Sequence, residues 1–155
     1  MAVFEQYTPG LGSVGNYQVA GTPWVTGSVL PVSGNLNGLN TSTHRLRFPY
    51  VTKEITIANM GTGEIAVTFV NDAGSIGSAT GGHGFTVPPS GTAPGSPLSR
   101  VTFDVKTKEI YISNKHSAVG AFQVYASLTR IDTKHMFELT GSGINNMPGD
   151  AGVRP

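Results

Sequence analysis

The chain has 155 residues, no cysteine, and 10 Lys or Arg against 9 Asp or Glu, for a formal net charge of +1. That length suits one domain with a two-layer core. The missing thiols exclude disulfides and thiolate metal sites, and the near-zero charge leaves no basic footprint for nucleic acid.

Residues 1–43 read as an extended N-terminal arm. Tyr7-Thr8-Pro9-Gly10 and Gly12-Ser13-Val14-Gly15 are turn-rich. Short extended pieces are expected at 16–20 and 23–25, and residues 34–40 look like loop. Phe4, Tyr7, Leu11, Tyr17, Trp24, Val29 and Leu30 are too many apolar residues for a solvated tail. Phe4, Tyr7, Leu11, Tyr17 and Trp24 are therefore the candidate protein-interaction residues, anchoring the arm on a partner. The alternative is a terminal strand docked on the chain's own sheet.

Residues 44–133 read as the sandwich domain. A strand at 45–48 ends at Pro49. The next, 51–59, has Val51, Ile55 and Ile57 in phase, and Asn59-Met60-Gly61-Thr62-Gly63 is expected to be a hairpin connection. Ile65, Val67 and Phe69 alternate in a strand over 64–70, and a loop over 71–84 precedes a short strand at 85–87. Pro88-Pro89-Ser90-Gly91 and Pro94-Gly95-Ser96-Pro97 mark irregular chain. Val101, Phe103 and Val105 are expected to pair with Ile110 and Ile112 in a tight hairpin closed by Lys106-Thr107-Lys108. The clearest strand, 121–131, places Phe122, Val124, Ala126 and Leu128 on one face. Residues 134–155, rich in Gly and Pro, read as a C-terminal arm. About six to eight strands of this kind predict an all-β chain, a β-sandwich of jelly-roll type with extended N- and C-terminal arms.

The chemistry-bearing residues form no motif. His44, His83, His116 and His135 lack metal-ligand spacing. Glu54 and Glu64 are expected to face each other across the 60–63 turn, flanking Lys53 on a wet face rather than making a glycosidase pair. Gly12-Ser13-Val14-Gly15 and Gly141-Ser142-Gly143 are not nucleophile elbows, and Gly61-Thr62-Gly63-Glu64 is not a phosphate loop. Trp24, Tyr50, Tyr111 and Tyr125 suit sugar stacking, although such residues more often serve core or interface in a sandwich. No catalytic residue, cofactor or metal is expected, and the chain does not read as an enzyme. No apolar run approaches the roughly 18 residues of a membrane helix, and Met1-Ala2-Val3-Phe4-Glu5 lacks the order of a secretory leader; no membrane partner is expected. Charged residues are 12 %, about half the usual share, which points to a surface covered by neighbouring copies.

Phe48-Pro49-Tyr50-Val51-Thr52-Lys53, then Phe85-Thr86-Val87-Pro88-Pro89-Ser90-Gly91, Lys108-Glu109-Ile110-Tyr111-Ile112-Ser113 and Phe122-Gln123-Val124-Tyr125-Ala126-Ser127-Leu128-Thr129 occur in an order that resembles small virion proteins of icosahedral viruses, notably marine tailed phages. The openings Tyr7-Thr8-Pro9-Gly10 and Gly15-Asn16-Tyr17-Gln18-Val19 are similar as well. The resemblance covers about half the chain and rests on structural motifs. It implies a capsid decoration (cement) protein or a single-jelly-roll vertex protein. The implied chain is made in the host cytoplasm and held on the virion surface. Its implied partners are the major capsid protein and neighbouring copies of itself, often as a trimer, and the resemblance carries over no catalytic residue. A carbohydrate-binding or receptor-binding module on a virion is the alternative expectation.

Overall fold

The structure, a computed structural model, describes residues 10–12, 14–15, 20–32, 43–69, 84–90, 99–136, 139–140 and 143–144. Eight strands make two four-stranded antiparallel sheets. In chain order they are β1 (Thr22–Leu30), β2 (Thr43–Arg47), β3 (Tyr50–Asn59), β4 (Ile65–Thr68), β5 (Phe85–Val87), β6 (Arg100–Phe103), β7 (Glu109–Asn114) and β8 (Gly120–Asp132). A 3₁₀ turn (Thr133–His135) and a two-stranded ribbon, β9 (Leu139–Thr140) with β10 (Gly143–Ile144), follow. The first sheet runs β1-β8-β3-β6 and the second β2-β7-β4-β5. The pairing is nested: β1 meets β8, β3 meets β6, β2 meets β7 and β4 meets β5.

The alternation along β8 sets the core. Phe122, Val124, Ala126 and Leu128 point inward, level with Ile57 and Ile55 of β3 and with Trp24, Thr26 and Ser28 of β1. The opposing sheet supplies Leu46, Ile65, Val67, Val87, Ile110 and Ile112 to the same buried cluster. Each such side chain contributes about 1.5–3 kcal/mol when fully buried. Two edge-to-face pairs, Phe69 with Phe103 and Phe85 with Phe103, line one margin of the sandwich.

The β3–β8 register shifts between Tyr50 and Thr52 and again between Thr52 and Glu54. The Thr129 hydroxyl repairs the ladder there, donating to Val51 O at 2.7 Å and accepting from Ile131 N at 3.1 Å. Past the bulge, Val51 and Ile131 join Met136 in a second small core, with Leu11 packed against it.

Two connections differ from the sequence reading. The 60–63 turn is not a hairpin, because β3 and β4 lie in different sheets. Lys106-Thr107-Lys108 does not close a hairpin either, since β6 belongs with β3 and β7 with β2 and β4. β3 instead pairs with β6 and β8, β7 with β2 and β4, and β4 with β5 and β7. Thr52 holds the second crossing: its N–H donates to Thr107 O at 3.0 Å, and its hydroxyl donates to Val105 O at 2.7 Å and accepts from Thr107 N at 3.0 Å. Of the segment expected to be arm, residues 22–30 form β1, the docked terminal strand.

Candidate interaction surface

The two sheets treat their outer faces differently. On the β2-β7-β4-β5 sheet the outward Ala66, Thr68, Tyr111 and Ser113 are buried. Arg45 Nε donates to Glu109 Oε2 at 2.9 Å, and the Tyr111 hydroxyl donates to Glu109 Oε1 at 2.9 Å. The Arg45 guanidinium lies 5.6 Å over the Tyr111 ring, and Arg47 adds a longer ion pair at 3.7 Å. Burial pushes the Glu109 carboxyl up, but the hydrogen bonds from Arg45 and Tyr111 and the Arg45 charge outweigh it, so its pKa lies below the ordinary glutamate value. Burial, then the bond to Glu109 and its charge, push the Tyr111 phenol up.

The outer face of the β1-β8-β3-β6 sheet is open. The register sets its side chains in rows: Pro23, Ser127 and Glu54; then Val25, Tyr125, Thr56 and Thr102; then Gly27, Gln123, Ala58 and Arg100; and Val29 beside Ala121. Met60 continues the last row, its N–H donating to Ala121 O at 2.8 Å. Within these rows Glu54 and Arg100 alone are charged. Val25 is 70 % exposed, Val29 62 %, Met60 56 % and Tyr125 41 %. Gly27 lies close against β8, since a β-carbon there would sit 3.0 Å from the Phe122 backbone oxygen.

The hydrogen bonds also settle which backbone groups face outward along β1. Ala121 O accepts from Met60, so Ala121 faces β3. By strand alternation Gln123, Tyr125 and Ser127 do too, and Phe122, Val124 and Ala126 face β1. Their register partners Ser28, Thr26 and Trp24 therefore bond to β8. Pro23, Val25, Gly27 and Val29 turn their backbone groups to the open edge, where Ser28 Oγ makes one long contact of 3.5 Å to Val29 O.

The four sheet edges are not alike. β2 carries Arg45 and Arg47, β6 begins at Arg100, and β5 has 3 residues and runs into Pro88 and Pro89. β1 has 9 residues and no charge. Charged, short and proline-stopped edges resist strand addition, whereas a long neutral one invites it.

Of the residues chosen from sequence as anchors, Phe4, Tyr7 and Tyr17 lie outside the described residues. Trp24 is half-buried on β1, edge-to-face with Phe48 at 5.1 Å. Leu11 rests on the Val51–Ile131–Met136 cluster, and its carbonyl accepts from Lys106 Nζ at 3.3 Å. The other candidate residues are dispersed. Glu54 sits level with Ser127, while Glu64 reaches Lys115 at 3.9 Å. His44 packs on Phe122, and His116 Nδ1 accepts from Ala118 N at 3.1 Å. Among the described residues no three His, Cys, Asp or Glu side chains gather as a metal site, and no helix is long and apolar enough to cross a membrane. Sequence reading missed Val25, Val29, Met60 and Tyr125 as one surface. Their signal was the absence of charge from 20 to 32, together with the outward phase of β1 and β8. No protein-family model, curated protein or solved structure matches the chain.

Proposed function

We propose that this chain is a structural protein that works by contact: a decoration or cement protein of an icosahedral capsid, held on the particle by protein–protein surfaces. The carrying observation is the open β1–β8 face, with Val25, Val29, Met60 and Tyr125 exposed beside an uncharged edge strand. Exposed apolar patches on a folded domain mark interaction sites. The nested strand order is the one produced when a long two-stranded ribbon winds around a barrel, and on that ground we read the sandwich as a jelly roll. The sequence resemblance agrees with both.

Glycan binding draws less support. It asks for aromatic rings presented together, whereas Tyr50 and the Thr56 that flanks Tyr125 stand six positions apart on β3, about 20 Å at 3.3 Å per residue. Trp24 is committed to Phe48.

Co-sedimentation with capsids that lack the chain tests the proposal. Wild-type protein is expected to travel with the particles at fixed stoichiometry, and a Val25→Lys, Val29→Lys double variant to stay at the top of the gradient. Failure of the wild type to bind, or equal binding by both, would overturn it.

A further inference from the structure

The open edge of β1 mirrors itself. The stretch Pro23-Trp24-Val25-Thr26-Gly27-Ser28-Val29-Leu30-Pro31 reads almost alike in both directions about Gly27: proline against proline, a large apolar residue against another, valine against valine, hydroxyl against hydroxyl. When a strand pairs antiparallel with a copy of itself about its centre, mirror order of this kind sets like residues opposite one another. In a two-fold contact residue i meets j and j meets i.

The backbone polarity fits the same axis. Val25, Gly27 and Val29 each send an N–H and a C=O to the open edge, since their even-numbered neighbours bond to β8. Pro23, in the same phase and without an N–H group, closes the donor set at one end, and Pro31 stands just past the last residue of β1. The Pro31 carbonyl accepts from Asn114 Nδ2 at 3.0 Å, which ties that end to its own domain.

We infer that the occupant of this edge is a second copy of the chain, joined across a two-fold axis at Gly27 so that two four-stranded sheets become one continuous sheet. Val25 then pairs with Val29 of the second copy, Gly27 with Gly27, and Val29 with Val25. The three hydrogen-bonded pairs give roughly six inter-chain bonds. On the outer face the valines of the two copies stand side by side around a residue with no side chain. On the inner side the hydroxyls of Thr26 and Ser28 are opposed. No charge lies on either strand to repel its twin. The inference rests on the reading of β1 as a contact surface; what it adds is the partner and the register.

Cysteine cross-linking reads the register, because the chain has no thiol of its own. Chains carrying Val25→Cys are mixed with chains carrying Val29→Cys under mild oxidation. Hydrogen-bonded partners stand about 5.5 Å apart at Cα, within disulfide range. Two copies of residue 25 would be four positions apart, about 13 Å, out of reach. The mixture is expected to give a disulfide-linked dimer on non-reducing gels, with neither variant cross-linking alone. Both substitutions are at exposed sites, and a circular dichroism spectrum matching wild type checks the fold. A second variant, Val25→Pro, deletes an outward donor without touching the β8 ladder. It is expected to weaken dimerisation by about tenfold or more, through two lost hydrogen bonds per dimer.

Single variants that cross-link as readily as the mixture would overturn the register. A wild-type chain that stays monomeric by light scattering up to concentrations on the order of 1 mM, the range suited to a small contact, would overturn the second copy as occupant. Capsid co-sedimentation is scored separately, so a monomeric chain that still binds shells through Val25 and Val29 would end this inference and leave the contact function standing.

Discussion

Asn59 concentrates more structural consequence in one side chain than any apolar residue near it. It is buried on β3 with its amide spent in full: Nδ2 donates to Gly63 O at 2.8 Å, Val87 O at 3.2 Å and Pro88 O at 3.0 Å, and Oδ1 accepts from Gly61 N at 2.9 Å. It thereby ties the 60–64 crossing to the end of β5. Asn114 does the same for the 115–119 turn, donating to Pro31 O and Ala118 O and accepting from His116 N. Removing such a group strands several buried partners, each at about 1–3 kcal/mol. Asn59→Ala is expected to lower unfolding stability by about 3 kcal/mol in urea titrations, and Asn59→Asp by no less, since a carboxylate would face three carbonyl oxygens. Glu109 carries a different expectation. Its carboxyl is held below its ordinary pKa of 4.5 in the folded chain. A depressed folded value means that the unfolded chain takes up the proton first as pH falls. The stabilisation is therefore present above the unfolded pKa and lost as pH drops through the folded one. Glu109→Gln should flatten the acid limb of a stability–pH curve and leave its shape near neutrality unchanged. Tyr111, pushed above 10.0, acts at the opposite limb, its contribution lost as pH rises through the folded value.

At the scale of elements, strands were legible where the period of two was clean, and connections were not. The strand predicted at 85–87 coincides with β5 (Phe85–Val87), and that at 121–131 lies within β8 (Gly120–Asp132). Alternation reports which face is buried but says nothing about which strand lies alongside. The short Gly-rich and Lys-rich turns at 60–63 and 106–108 therefore passed for hairpins, although both carry the chain between sheets. β1 was half-seen, because Gly27 interrupts its propensity and Pro23 and Pro31 bound it. Its docking changes what truncation does. Deleting residues 1–25 would remove Trp24 from Phe48 and about half of the pairing with β8. That deletion is expected to lower the melting temperature by well over 5 °C, since a loss of about 1 kcal/mol costs some 2–4 °C in a chain of this size. Deleting residues 1–20 spares β1 and is expected to shift melting far less, through loss of the Leu11 contact with Val51, Ile131 and Met136. Thermal scans of the two truncations would separate a docked strand from a free arm.

For the molecule as a whole, composition spoke earlier than any motif. A charged fraction of 12 % pointed to a covered surface. The sequence-chosen anchors reflected apolar content in a Gly- and Pro-rich region, but where apolar residues face is set by register, and register is not readable until β1, β8 and β3 are aligned. That alignment joins Val25, Val29, Tyr125 and Met60, which lie up to 100 positions apart in sequence, into one neutral face. A contact built this way has a characteristic solvent response. Between 50 and 500 mM NaCl, surface ion pairs lose much of their strength as the screening length shortens, but a ladder of backbone bonds flanked by valines has no charge to screen. Self-association measured by analytical ultracentrifugation is therefore expected to change by less than about twofold over that range and to strengthen in sulfate, which favours apolar burial. A steep fall with NaCl would assign the contact to a charged surface such as Arg45, Arg47 and Glu109 on the opposite sheet instead.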